Sequence, residues 1–362
     1  MVIKVLLKLL KQKISYLSPM ILVTGATGLV GSHLVYRLAS QGETVRALYR
    51  TPSKLNTVKD VFKYYTPNYQ SIFDTIEWVQ TDITNIPQLI QAFKDIDYVY
   101  HVAAYISFNP KRYAVLKKVN VEGTANVVNI ALINGIKKLC YVSSIATLGS
   151  TSGDALITEK TEYNPEVNNS VYAMTKYAAE MEVWRGTQEG LPAVIVHPGV
   201  ILGVGHYSSA SGSIIKSVYK GINRFTSGGV GVVDVNDVVA IMIRLMKSDI
   251  INDHFILVGT NYLYKDLLTD LANALGKKPP SKAVSKKMLL FLSKLDWLSN
   301  VLFSTKRKLF KTTVHSLFEK EFYDASKVKK LLNITFTPPE DTITTVCSHF
   351  LQSKSEHNST KD

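Results

Sequence analysis

The chain has 362 residues, 46 % of them hydrophobic and 20 % charged, with a net charge of +13 and only two cysteines. That length holds one large domain or two unequal ones, and the balance belongs to a globular chain rather than a disordered one. Two cysteines form neither a disulfide framework nor a metal-ligand spacing, and no apolar run is long enough to span a bilayer. Cys140 sits in an apolar run, as a buried thiol does, which suits a reducing compartment and a cytoplasmic location. The basic balance points to an anionic ligand, such as a phosphorylated cofactor, or to peripheral contact with an anionic membrane face. Lys and Arg are scattered and no recognition motif appears, which argues against nucleic acid.

Residues 1–19 place Lys4, Lys8 and Lys11 on one helical face and Val, Ile and Leu on the others. They read as a basic amphipathic leader of the interfacial type, or as a segment upstream of the folded domain and absent from the native product. The first folded element is the apolar run Met20–Val23, a buried parallel strand. Glycines follow at spacing three, Gly25, Gly28 and Gly31, and then Leu29, Val30, Leu34, Val35 and Leu38 recur at helical spacing. Strand, glycine turn and helix together suit a dinucleotide pyrophosphate. The glycines admit backbone close to phosphate, and the helix N-terminus offers unpaired N–H groups.

Further strands are expected at 44–49, 77–80, 98–102, 138–142, 193–196, 230–234 and 255–258. Residues 51–75 form a helix-loop insertion, and helices follow at 119–133, from Tyr172 to about Gln188, and at 238–247, the last capped by Asp237. Strands alternating with helices imply a doubly wound parallel sheet of the Rossmann type, with ligands beyond the carboxyl ends of its strands. The expected division is a dinucleotide-binding domain over 20–200, completed by about 229–260. A smaller, mostly helical substrate lobe covers 201–228 and 261–351, and a disordered tail covers 352–362. The apolar stretch Met288–Phe303, broken by Lys294 and Asp296, reads as a packed helix of that lobe, with an amphipathic membrane contact as the alternative.

Tyr172 and Lys176 stand one helical turn apart on one face. A neighbouring ammonium favours the phenolate, so Tyr172 is expected to have a lowered pKa and to serve as a general acid or base. Strand ends supply the remaining polar groups: Asp82, Ala103 and Ala104, Ser143 and Ser144, His197 and Gly199. His101 and His197 read as structural, since no partner spacing supports a metal.

Taken in order, Thr24-Gly25-x-x-Gly28-x-x-Gly31, Asp82-Ile83, His101-Val-Ala-Ala104, Asn120-Val-Glu-Gly-Thr124, Ser143-Ser144 and Tyr172-x-x-x-Lys176 make the chain resemble an extended short-chain dehydrogenase/reductase of the NAD-dependent epimerase/dehydratase family over roughly residues 20–350. The resemblance implies that Ser144, Tyr172 and Lys176 are catalytic. Tyr172 would move the proton, Lys176 would bind the nicotinamide ribose, and Ser144, five residues before Gly149, would bond the reacting oxygen, with Ser143 as the fallback. It further implies that Thr24, Gly25, Thr27, Gly28, Leu29, Val30 and Gly31 hold the cofactor. Asp82 and Ile83 would contact its adenine end, and Ala103, Ala104, His197 and Gly199 would line it. Asn120 is expected to order local backbone.

The second strand ends Leu48-Tyr49-Arg50 with no carboxylate at its tip. An Asp or Glu there would accept from a ribose 2′-OH, whereas a guanidinium grips a 2′-phosphate, so NADP is expected over NAD. This strand and His101-Val-Ala-Ala-Tyr-Ile-Ser-Phe108 are similar to reductases of the dihydroflavonol-reductase and hydroxysteroid-dehydrogenase type, with Tyr105 and Phe108 either walling a pocket or packing in the core. The implied activity is reduction of a ketone or aldehyde, or oxidation of a secondary alcohol, on a small, partly apolar substrate, with a homodimer possible. Two alternatives stand beside it. One is an NAD-dependent nucleotide-sugar epimerase or dehydratase, although His197-Pro-Gly-Val-Ile-Leu-Gly203 lacks the Arg before the proline and the Asn after the sixth strand that such enzymes usually carry. The other is a cofactor-sensing regulator without turnover.

Overall fold

The computed structural model describes residues 19–151, 155–207, 211–303 and 309–359. The leader expected over 1–19 lies outside the described residues, apart from Pro19. In chain order the elements are β1 (Met20–Thr24), α1 (Leu29–Ser40), β2 (Thr44–Tyr49), α2 (Lys54–Tyr65), α3 (Tyr69–Phe73), β3 (Glu77–Gln80), α4 (Ile86–Ala92), β4 (Tyr98–His101), α5 (Tyr113–Leu116), α6 (Gly123–Ile133), β5 (Lys138–Val142), α7 (Val171–Gln188), β6 (Ala193–Pro198) and β7 (Val200–Leu202). There follow α8 (Gly212–Tyr219), β8 (Arg224–Phe225), β9 (Gly229–Asp234), α9 (Val235–Lys247), β10 (Asp253–Leu257), β11 (Thr260–Leu263), α10 (Tyr264–Ala274), β12 (Lys282–Ala283), α11 (Lys286–Phe303), α12 (Lys311–Ser316), α13 (Ser326–Leu332) and α14 (Pro339–Ser359).

Among the described residues, seven strands form one sheet in the order β10-β6-β5-β4-β1-β2-β3, parallel throughout. This is the doubly wound Rossmann arrangement, and its strand order reverses between β1 and β4. Successive residues of a strand point to opposite faces, so β1 feeds two cores. Val23 joins Leu34, Val35, Leu38, Met242 and Leu245 beneath α1 and α9. Leu22 joins Val99, Val127, Leu139, Ala179 and Val183 beneath α6 and α7. With helices on both faces, β5 and β6 are buried along their whole length, which is why they read as unbroken apolar runs.

A second lobe is built on the three-stranded sheet β11-β9-β7, with Leu202, Val232, Ile215, Leu271, Val346 and Phe350 in its core. Several expectations change here. Only β10 completes the large sheet; β9, grouped with the first domain by sequence, pairs with β7 and β11. Asp234, not Asp237, caps α9 by accepting from the Asn236 N–H at 2.6 Å. Asp237 instead accepts from the backbone N–H and hydroxyl of Thr337 at 2.8 and 2.9 Å, tying the C-terminal region to α9. The tail expected to be disordered from 352 continues α14 through Ser359.

Helix α11 packs only in part: Leu289 and Leu290 are half-buried, while Met288, Phe291, Leu292, Leu295, Trp297 and Leu298 are exposed. Polar groups also anchor it: the Ser293 hydroxyl donates to Leu309 O at 3.0 Å, and Asp296 Oδ2 accepts from Leu309 N at 3.0 Å. Two backbone-directed hydrogen bonds fix which side faces in.

Buried histidines stitch the elements together. His33 of α1 bonds the Tyr65 hydroxyl at 2.5 Å and Val204 O at 3.0 Å. His101 lies between the hydroxyls of Thr24 and Thr124 at 2.7 and 2.9 Å. Burial pushes His33 down to about 4 and, with repulsion from Lys176, His101 down to about 3. Both rings stay neutral in the fold, whereas an unfolded chain protonates them near pH 6.5. The unfolded state therefore binds more protons below pH 6.5; this stability is full above that pH and is lost as pH falls toward 4. Denaturant melts should show stability dropping between pH 7 and pH 5, by up to about 1.4 kcal/mol per unit for each of the two rings. An unchanged midpoint would contradict the buried neutral state.

Candidate active site

The glycine turn lies where β1 leaves the sheet beside β4. Gly25 has φ +69, and a Cβ on it would come within 2.6 Å of Ala103 N. On Gly31 a Cβ would sit 2.1 Å from Gly25 O, so only glycine lets α1 start this close to the turn. Gly28 N donates to Gly25 O at 3.0 Å, and no side chain caps the first turn of α1. Thr24 is buried, and its Oγ1 accepts from Val102 N and Ala103 N, each at 3.2 Å, which seats the β4 end against the turn. Thr27, Gly28 and Leu29 are half-buried at the lip, with Val30 and Gly31 buried behind. A cradle without Cβ atoms and an uncapped helix start fit a dinucleotide pyrophosphate.

On one side of the cradle lie the ends of β2 and β3. Arg50 is exposed just past β2, and its Nη1 is 3.7 Å from Asp82 Oδ2. A carboxylate that β2 does not carry is thus supplied by the chain after β3. Asp82 Oδ1 accepts from the N–H and hydroxyl of Thr84 at 2.9 and 2.8 Å. Burial raises the Asp82 carboxyl, but these bonds and Arg50 outweigh it and hold the pKa below the usual range. Ile83 is buried against Gly123, and Ala104 is exposed at the end of β4.

On the other side lie Ser144, Tyr172 and Lys176, the residues expected to move the proton. Helix α7 starts at Ser170, whose hydroxyl accepts from Ala173 N at 3.1 Å. Two residues further, Tyr172 faces Ser144, which pulls the pKa of its phenol down. Ser143 points inward and donates to Glu180 Oε2 at 2.6 Å, so the two serines divide their work by strand alternation. Lys176 is 1 % exposed; its Nζ donates to the Tyr141 hydroxyl at 2.6 Å and to Val142 O at 2.8 Å. These contacts correct the expectation of an ammonium lowering the Tyr172 pKa. Burial pushes the phenol up to about 12, offset in part by Ser144, and pushes Lys176 down to about 7, offset by Glu180. Desolvation dominates both shifts.

Behind Ser144 stands a buried brace. Thr147 Oγ1 bonds Glu180 Oε2, Ser144 O and His197 Nδ1 at 2.8, 2.8 and 3.0 Å. His197 Nε2 meets His254 Nδ1 at 3.2 Å. The His197 ring is thus committed to the Ser144 turn, in place of the cofactor contact expected of it. Gly199 lies against β9, where a Cβ would meet Gly231 O at 2.4 Å. Glu180, His197 and His254 bring their ligand-type atoms within 4.8 Å of one another, a grouping that chain spacing concealed. Asn120 behaves as expected: its amide accepts from Tyr105 N at 2.7 Å and donates to Tyr105 O at 3.0 Å. It does so from a π-helical turn, Lys117–Glu122, that the sequence pattern did not show. Phe108 is exposed and meets the Tyr172 ring edge-on at 5.5 Å, so it is a wall residue rather than a core one.

The sequence reading passed over Tyr141, Thr147 and Glu180. The signal was present: Glu180 follows Lys176 by four, and Tyr141 precedes Ser143 by two, each on the same face as a residue already chosen.

The model of the NAD dependent epimerase/dehydratase family matches residues 21–259. The chain belongs to that family. It is an NAD(P)-binding enzyme of the extended short-chain dehydrogenase/reductase type. It is similar, at 30 % identity, to a Synechocystis protein provisionally named dihydroflavonol 4-reductase, over 72 % of this chain and 74 % of that one. A sterol demethylase protein B from Methylococcus capsulatus is 26 % identical over 74 % and 78 %. Among solved structures, gox2253 superposes with a TM-score of 0.77 at 27 % identity, covering 93 % of this chain and all but 1 % of its own. The fold is shared with the UDP-glucose 4-epimerase of Thermotoga maritima, with a TM-score of 0.72 at 18 % identity over 92 % and 99 %.

Glu180 holds the Lys176 pKa up by Coulomb attraction. Glu180→Gln should therefore move the lysine limb of a kcat/KM–pH profile to lower pH, by up to about one unit, with cofactor affinity little changed. A profile that stays in place would remove Glu180 from this role.

Proposed function

We propose that this protein transfers hydride between NADP(H) and the carbonyl or carbinol carbon of a small, partly apolar substrate. The observation that carries the reading is the Ser144–Tyr172–Lys176 set beside the glycine cradle, with Phe108 against the phenol. Bound nicotinamide supplies or takes the hydride; the protein supplies position and the proton. Thr24, Gly25, Thr27, Gly28, Leu29, Val30 and Gly31 would hold the pyrophosphate. Asp82, Ile83, Ala103, Ala104 and the backbone at Gly199 would flank the remaining parts. Lys176 is the cation available to the nicotinamide ribose.

A phenol pushed up to about 12 keeps its proton near neutral pH. Tyr172 is then a general acid for a developing alkoxide, which favours the direction of carbonyl reduction. Ser144, beside the same phenol, would present its hydroxyl to the reacting oxygen, and the Thr147–His197 brace fixes its backbone carbonyl. Phe108, half exposed at this point, supports an apolar substrate body.

NADP is favoured by Arg50, whose guanidinium is exposed and only loosely paired with Asp82. NADPH should bind tighter than NADH, and Arg50→Asp should reverse the order, a change of ten-fold or more for a lost bidentate phosphate contact. A wild type that prefers NADH in a fluorescence titration would overturn the NADP assignment. Tyr172→Phe should lower kcat by about 10²–10⁴-fold with the NADPH Kd within about twofold. Full activity in that variant would remove the acid role. A panel of ketones, aldehydes and nucleotide sugars, followed by NADPH absorbance and product NMR, separates reduction from epimerisation, which inverts a centre without net cofactor consumption.

A further inference from the structure

Helix α11 leaves much of its apolar surface open. Met288, Phe291, Leu292, Leu295 and Leu298 recur at helical spacing on one face, and that face is open: Phe291 is 60 % exposed, Leu295 45 % and Leu298 44 %. Away from it lie the buried Ser293 and the half-buried Asp296, both bound to the backbone of Leu309, with Trp297 exposed beside them. A contiguous apolar face held outward by polar anchors marks a contact surface. Lys287 and Lys294, both exposed, border it. The charge around it is one-sided. The described residues of 277–311 contain seven Lys against one acid, Asp296, which is tied to the backbone of Leu309.

From this juxtaposition we propose that α11 is an interfacial helix that seats the enzyme on an anionic phospholipid surface. The apolar face enters the headgroup–acyl boundary, and the surrounding lysines meet lipid phosphates. No described helix is long and apolar enough to cross a membrane, so the contact lies along the surface. A second copy of the chain is a poorer occupant, because it would bring the same cationic surround face to face. A neutral apolar partner leaves these lysines without a counterpart.

The inference is independent of the redox reading and is tested apart from it. Full-length protein is sedimented with vesicles of phosphatidylglycerol and phosphatidylcholine in equal parts, and with phosphatidylcholine alone. It should partition onto the anionic vesicles, weakly onto the neutral ones, and come off as salt rises. The double variant Phe291→Ser, Leu295→Ser should lose partitioning by about tenfold or more. Lys287→Glu with Lys294→Glu should lose it on anionic vesicles. NADPH affinity, read in the same samples, should be unchanged in every variant and shows that each is folded. Failure to bind anionic vesicles, or binding indifferent to these substitutions, overturns the proposal. So does a dimer that dissociates in Phe291→Ser while lipid binding is absent, since the face would then be a contact between copies.

Discussion

A single buried amine constrains the whole site. Lys176 is placed by α7 under the ends of β4 and β5, where it has the Tyr141 hydroxyl, the Val142 carbonyl and, one turn away, Glu180. Taking an ammonium out of water is costly unless its donors are met, and here two are met by groups on β5. Its position is therefore fixed by the sheet rather than by a flexible side chain. The same burial brings its pKa to about 7 and leaves its charge responsive to whatever binds beside it.

Polar order spreads outward from that point through the sheet. Tyr141 packs against the His101 ring, with centroids 5.5 Å apart, and His101 is hydrogen-bonded to Thr124 and to Thr24 at the start of the glycine turn. On the other side Glu180, Thr147 and His197 hold the turn that presents Ser144. Cradle and proton-transfer set are thus ends of one connected buried network. Such networks are rigid when fully bonded and costly when partly broken. That explains why so many titratable groups with displaced pKa values gather beneath one end of the sheet.

Much of this was legible along the chain, for physical reasons. The glycine turn shows in sequence because only glycine satisfies both the φ of Gly25 and the 2.1 Å approach at Gly31. The strands of the large sheet show because a sheet covered on both faces needs unbroken apolar runs. Tyr172 and Lys176 show because a helix makes neighbours of residues four apart. What stayed hidden depends on contacts between distant segments: the meeting of Arg50 with Asp82, the brace from Glu180 to His254, and β9 pairing away from the large sheet. The open apolar face of α11 was hidden for a further reason. Apolar spacing tells that a helix has a face, while the side that face takes is set by Leu309, whose backbone Ser293 and Asp296 capture. The Tyr172 pKa shift was misread in direction, since spacing reports the neighbouring charge and not the burial.

The central claim is that the network positions a phenol to protonate an oxygen while hydride reaches the adjacent carbon. Its most direct measurement is a single turnover of a ketone with NADPH deuterated at the transferred C4 position. The account predicts deuterium on the product carbinol carbon, a primary isotope effect on NADPH disappearance, and the same transfer about 10²–10⁴-fold slower in Tyr172→Phe. Deuterium that remains on the cofactor while a product still forms would contradict it.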